Sequence, residues 1–233
     1  MEYTYLLINL AILAGPLLLS FDPRVRYYRR WPAVFAAILT VSSAMVFWDI
    51  HATAAGHWFF SDAHTIGIRF AGLPLEELLF FVTVPFACLF TWEVVQFYLK
   101  KDELLRGMLP LWRIAGIAFM LAGFAAGSRQ YTAWVLFLCG GLITILTIFK
   151  PEVLIRRSSL IWIGVTAMLF LLFNTVLTAV PVVTYGEDMV SGIRIGTIPL
   201  EDSFYNLFML LAYLTLYLRF RRAPAGNPVQ PAS

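Results

Sequence analysis

Four acidic residues stand in two pairs with the same local sequence. Glu76 and Glu77 follow Pro74-Leu75, and Glu201 and Asp202 follow Pro199-Leu200. Each pair opens an apolar run, which places the acids at the start of a helix and at the edge of a membrane. Neighbouring carboxyls in an apolar setting cannot both ionise cheaply, so one can hold a proton while another accepts one. For a single motif the plain reading is an ordinary helix start, because proline suits the first turn and acids suit the positive end of the dipole. Two copies in register, each with Gly-Ile-Arg beginning seven residues before its proline, shift the reading toward function. Acids within a membrane are candidates for function by default. Glu76, Glu77, Glu201 and Asp202 are therefore the expected catalytic residues.

Other side chains near these motifs could bind a substrate. Asp49 and Asn174 occupy matching places ahead of the two motifs, and Asn206 lies four residues after Asp202 on the same helix face. Trp58, Phe80, Phe81 and Tyr205 flank the acids, and their ring faces could stabilise a cation. Glu93 lies far from the motifs and reads as a snorkelling or lysine-paired group. His51, His57 and His64 have no helical metal spacing, and Cys88 and Cys139 sit 51 residues apart in apolar runs, so no metal site is expected.

The elements that must position these residues are membrane helices. Of 233 residues, 60% are apolar and 13% charged, with a mean hydropathy of +0.78. This composition excludes a soluble enzyme, a disordered chain and a nucleic-acid-binding module. Seven runs approach the length of about 20 residues that a span needs: 3–21, 31–48, 74–99, 114–128, 130–149, 158–186 and 199–218. The first has no basic flank and no small-residue cleavage site, so it reads as a span rather than a signal peptide. Of the 17 Lys and Arg residues, only Arg69, Arg129 and Arg194 fall on one side of this arrangement. The rest mark the cytoplasmic side, which places the N-terminus outside and the C-terminus in the cytoplasm of a cell-membrane protein.

An internal repeat divides the chain. Residues 67–76 read GIRFAGLPLE and residues 192–201 read GIRIGTIPLE, identical at six of ten positions and offset by 125. The expected fold is all-α, with two parallel three-helix repeats at 1–106 and 130–222 joined by a linker helix at 107–129. The extra span restores the chain direction, so both acidic motifs reach the same membrane face. Residues 223–233, rich in Pro and Ala, read as a disordered cytoplasmic tail.

The motifs together resemble the integral-membrane lycopene cyclases, a family of paired small subunits or fused chains. The resemblance rests on Gly56, Trp58 and Phe60, then Thr65, Gly67 and Ile68, then residues 74–77 with Phe80 and Phe81. The second half keeps Gly192-Ile193 and residues 199–202 with Tyr205 and Asn206, but reads PVVTY at 181–185 in place of the first aromatic element. The resemblance implies a cyclase that acts on lycopene or a similar carotenoid and converts lycopene to β-carotene through γ-carotene. It implies membrane lipid and other enzymes of carotenoid synthesis as partners, and no nucleic acid.

The chemistry needs an acid to protonate the terminal double bond, attack by the neighbouring double bond, and a base to remove a proton. No net redox change occurs and no nucleotide fingerprint is present, so neither flavin, nicotinamide nor metal is expected as a cofactor. The same acids would serve a carotenoid hydratase or a cyclase of C50 carotenoids. A small proton-coupled carrier is the non-enzymatic alternative. A carrier would need a polar path across the membrane, whereas here the acids gather at one face.

Overall fold

A computed structural model describes residues 3–221. The expected tail at 223–233 lies outside the described residues. Long helices dominate: α1 (Thr4–Leu19), α2 (Trp31–Ala54), α3 (Leu75–Tyr98), α4 (Leu109–Ala125), α5 (Gln130–Phe149), α7 (Arg157–Ala179) and α8 (Leu200–Arg221), with the four-residue α6 (Glu152–Ile155) between α5 and α7. Five segments, at 27–54, 75–98, 106–125, 130–149 and 157–179, are long and apolar enough to cross a membrane. Helix α1 is apolar but only 16 residues long. Helix α8 has 22 residues and carries Glu201, Asp202, Arg219 and Arg221 at its ends.

Two boundaries differ from the sequence reading in ways that matter. Helix α2 runs six residues beyond the uncharged stretch, so Asp49 sits inside the helix and is buried. The uncharged run expected at 158–186 is not one helix. It breaks after Ala179 into the strand β4 (Val183–Tyr185), because an apolar run alone does not separate a buried strand from a helix.

Helices α3 and α8 occupy the centre. Helix α3 packs against α1, α2 and α7, and α8 packs against α5, α7 and α2. Each central helix thus touches its own half and the other. Pro85 lies within α3 and cannot donate to the Phe81 carbonyl, and the Ser42 hydroxyl of α2 fills that gap at 2.6 Å. Helix α4 lies against α5, where a Cβ on Gly140 would come 2.6 Å from the Gly116 carbonyl oxygen.

Short strands close one end of the bundle. Strand β1 (Trp58–Phe60) pairs antiparallel with β4, in the register Trp58 with Tyr185, Phe59 with Thr184 and Phe60 with Val183. Phe59 and Thr184 are themselves 125 residues apart, so the pairing is symmetric about its middle. Two further hairpins precede the central helices: β2 (Arg69–Phe70) with β3 (Leu73–Pro74), and β5 (Arg194–Ile195) with β6 (Ile198–Pro199). Gly67 and Gly192 enter these hairpins at φ +81° and +83°, a conformation that costs glycine little and other residues much.

Candidate active site

The acids of each motif point in different directions. Consecutive helical residues lie about 100° apart around the axis, so Glu76 and Glu77 do not share a face. Glu76 turns back to its own hairpin, where its Oε1 accepts the Ile66 backbone N–H at 2.7 Å. Glu201 does the same with the Ser191 N–H at 2.6 Å and also accepts from the Thr132 hydroxyl at 2.6 Å. Ile66 and Ser191 are again 125 residues apart, as are the Leu75-to-Ile68 and Leu200-to-Ile193 backbone hydrogen bonds that fold each loop onto its helix. Both carboxylates are buried, and neither lines a cavity described below.

Their geometry fixes the loop and thereby the direction of the next residue. Removing either carboxylate leaves a half-buried backbone N–H without its partner, which costs up to about 1–3 kcal/mol. Glu76→Ala and Glu201→Ala should therefore each lower the thermal midpoint of the purified protein. An unchanged midpoint in both would show that these hydrogen bonds do not hold the loops.

Glu77 and Asp202 turn inward and meet Asp49. All three line one cavity of about 80 Å³, together with Tyr5, Trp58, Phe80, Tyr131, Asn174, Tyr185 and Tyr205. The Tyr5 hydroxyl donates to Glu77 Oε2 at 2.5 Å. Asp202 receives three hydrogen bonds: Tyr131 on Oδ1 at 2.7 Å, and Asn174 at 3.0 Å and Tyr185 at 2.5 Å on Oδ2. Burial pushes the Tyr185 phenol well above its ordinary value, so it remains a donor. Asp49 accepts from Trp58 Nε1 at 2.8 Å and from the Thr53 hydroxyl at 3.4 Å, both on Oδ1. Its Oδ2 is buried without a hydrogen-bond partner among the described residues.

Of the eleven residues singled out by sequence, the structure brings Asp49, Trp58, Glu77, Phe80, Asn174, Asp202 and Tyr205 to this cavity. Phe81 and Asn206 line a larger apolar cavity of about 290 Å³ between α1, α3, α7 and α8. Phe80, Phe170, Asn174, Leu177 and Tyr205 line both, so the acidic chamber opens into the apolar groove. Along α3 the combined space runs from Glu77 to Thr91, roughly 21 Å at 1.5 Å per residue. Ala11 and Gly15 of α1 and Leu169 of α7 border the groove and are themselves exposed, which leaves it open to the side between α1 and α7.

Sequence reading singled out Tyr205 but missed Tyr5, Tyr131 and Tyr185. Tyr5 and Tyr131, each in the first turns of its helix, supply matching hydrogen bonds to Glu77 and Asp202. A tyrosine near the start of an apolar helix looks like an interface residue, and no spacing signal separates the two roles. His57 packs among Trp48, Trp58 and Tyr131, and burial holds its imidazole below the usual value, so it adds no charge here. Glu93 lies at the other end of α3. It is bound by Tyr217 at 2.7 Å and by the arginine Arg221 at 2.7 Å, rather than by a lysine.

These features define a helical membrane protein whose two halves send carboxylates into one chamber of an apolar groove. The lycopene cyclase family model matches the chain twice, over residues 2–95 and 128–220, and the chain belongs to that family. The two matches leave residues 96–127 between them, the segment that holds α4. No curated protein and no solved structure matched the chain.

Proposed function

We propose that this chain closes rings on both ends of lycopene, giving β-carotene by way of γ-carotene, in one chamber used once for each end. The observation that carries this reading is the meeting of Glu77 from one half and Asp202 from the other in the mouth of a single apolar groove. Family membership supplies carotenoid cyclisation, and the groove supplies a dry site of matching chemistry. One chain end would enter the chamber while the polyene lies along α3 and α8. The groove is roughly 21 Å deep, and a lycopene rod is comparable to the hydrocarbon core of about 30 Å, so the far end would leave sideways between α1 and α7.

Proton transfer to the terminal double bond places a tertiary cation at the adjacent carbon. The nearby double bond attacks it, forming the ring carbon–carbon bond and moving the cation into the ring. Loss of a ring proton to a base then sets the final double bond. Anionic carboxylates fixed around this path stabilise the positive charge without reorganisation. Asp202, held by three donors, is the base in this reading, and its fixed position selects which ring proton leaves. Trp58, Tyr205 and Phe80 offer ring faces to the cation. Glu76 and Glu201 act at one remove, by holding the loops that aim Glu77 and Asp202.

The same reading gives the repeats at 1–106 and 130–222 a parallel course across the membrane, with 107–129 as the linker and seven spans in all. The N-terminus then lies outside. Labelling of cysteines placed at positions 70 and 195 should reach both from the same outer face; labelling from opposite faces would contradict the parallel arrangement. The functional test is expression in a lycopene-accumulating bacterium, with the pigment identified. Bicyclic β-carotene is the expected product, whereas unchanged lycopene or an open-chain alcohol would overturn the assignment.

A further inference from the structure

We infer that Asp49 is the proton donor that starts each cyclisation, and that the two halves have divided the work into an acid side and a base side. The inference rests on the cyclase reading above and assigns a role within it.

The hydrogen-bond inventory of the chamber makes the division. Three carboxylates share a cavity of about 80 Å³, so they cannot all be charged at low cost. An ionised carboxylate only accepts hydrogen bonds, and a buried oxygen without a donor is the place for a proton. Both oxygens of Asp202 are occupied, one by Tyr131 and the other by Asn174 and Tyr185. Glu77 holds the Tyr5 hydroxyl on Oε2 alone. Asp49 is 1% exposed, lines the chamber, and has an Oδ2 with no hydrogen-bond partner among the described residues. Glu76 and Glu201 also have an unpartnered oxygen, but they do not line the chamber and cannot reach a substrate there.

The symmetry of the repeats points the same way. Asn174 is the counterpart of Asp49 at the offset of 125. Where the second half has an amide that donates to Asp202, the first half has a carboxyl whose Oδ2 has no partner among the described residues. This difference sets a carboxyl on one side of the chamber and an amide on the other. The proton leaves Asp49 Oδ2 for the terminal alkene carbon, and the electron pair of that double bond forms the new C–H bond. The second double bond supplies the ring carbon–carbon bond, and Asp202 takes one ring proton. One proton is given and one received, so its return from Asp202 to Asp49 readies the chamber for the second end.

Asp49→Asn is the informative variant, because the amide keeps an oxygen for Trp58 and nearly the same volume. In the purified full chain, the variant should still bind lycopene, read as the absorption shift of bound carotenoid. It should form rings at least about 100-fold more slowly, with no side products. Asp49→Glu should recover part of the rate. Asp202→Asn should behave differently. The cation still forms there, so the residual products should include shifted ring isomers or alcohols. Normal ring formation by Asp49→Asn beside an active wild-type chain would overturn this assignment alone, and so would cation-derived side products from it. A wild-type chain that leaves lycopene unchanged would instead overturn the cyclase reading on which the assignment rests.

Discussion

Replacing Glu77 by glutamine, or Asp202 by asparagine, is expected to depress β-ring formation at both ends of the substrate together by about 100-fold or more. The two residues come from different halves of the chain, yet they line the same chamber. A chamber that serves both ends of the substrate loses both closures when either carboxylate is neutralised. Two independent half-sites would behave differently: each variant would stop one closure and let the one-ringed carotenoid accumulate at close to the normal rate. Chromatography of the carotenoids formed by each single variant separates these cases. Both substitutions keep side-chain volume, and each retains an oxygen that can accept from Tyr5 or Tyr131, so folding should survive. Retention of near-normal γ-carotene formation in both variants would contradict the shared chamber.

Filling the side opening of the groove is expected to have the second large effect. Gly15 borders the groove, and a Cβ built on it meets no atom within 4 Å. A Gly15→Trp side chain can therefore fit without forcing the backbone, and it would occupy space where the polyene must enter. Each loss of about 1.4 kcal/mol in substrate binding corresponds to tenfold. Conversion of full-length lycopene should fall roughly tenfold or more. A short analogue that carries only the reacting end should be converted almost as well as by the wild-type chain. Equal losses for the long and the short substrate would show that the effect lies in the chamber and not in the opening.

The repeat, the acidic motifs and the helical membrane character were legible because each leaves a local mark. Gly-Ile-Arg and Pro-Leu-Glu recur at a fixed offset, and apolar runs of span length need no tertiary information. Which acid faces the chamber was not legible. Adjacent residues at a helix start point about 100° apart, and the hairpin bonds from Ile66 and Ser191 decide which one turns away. Asp49 is legible only as a candidate beside the motifs, because the uncharged run ends before it whereas the helix continues to Ala54. Tyr5, Tyr131 and Tyr185 came to the chamber from the first turns of α1 and α5 and from a strand hidden in an apolar stretch. Their convergence is a property of packing between the halves, and no local pattern encodes it. Glu93 shows the same limit: its arginine partner Arg221 lies 128 residues away.

The most direct test of the account is conversion of lycopene by the purified chain in liposomes, after treatment with chelator and removal of nucleotides. With the chain's own carboxylates supplying the acid and the base, lycopene should be converted through the one-ringed to the two-ringed carotenoid under these conditions. Lycopene that stays unchanged until reduced flavin or a metal ion is added would contradict it.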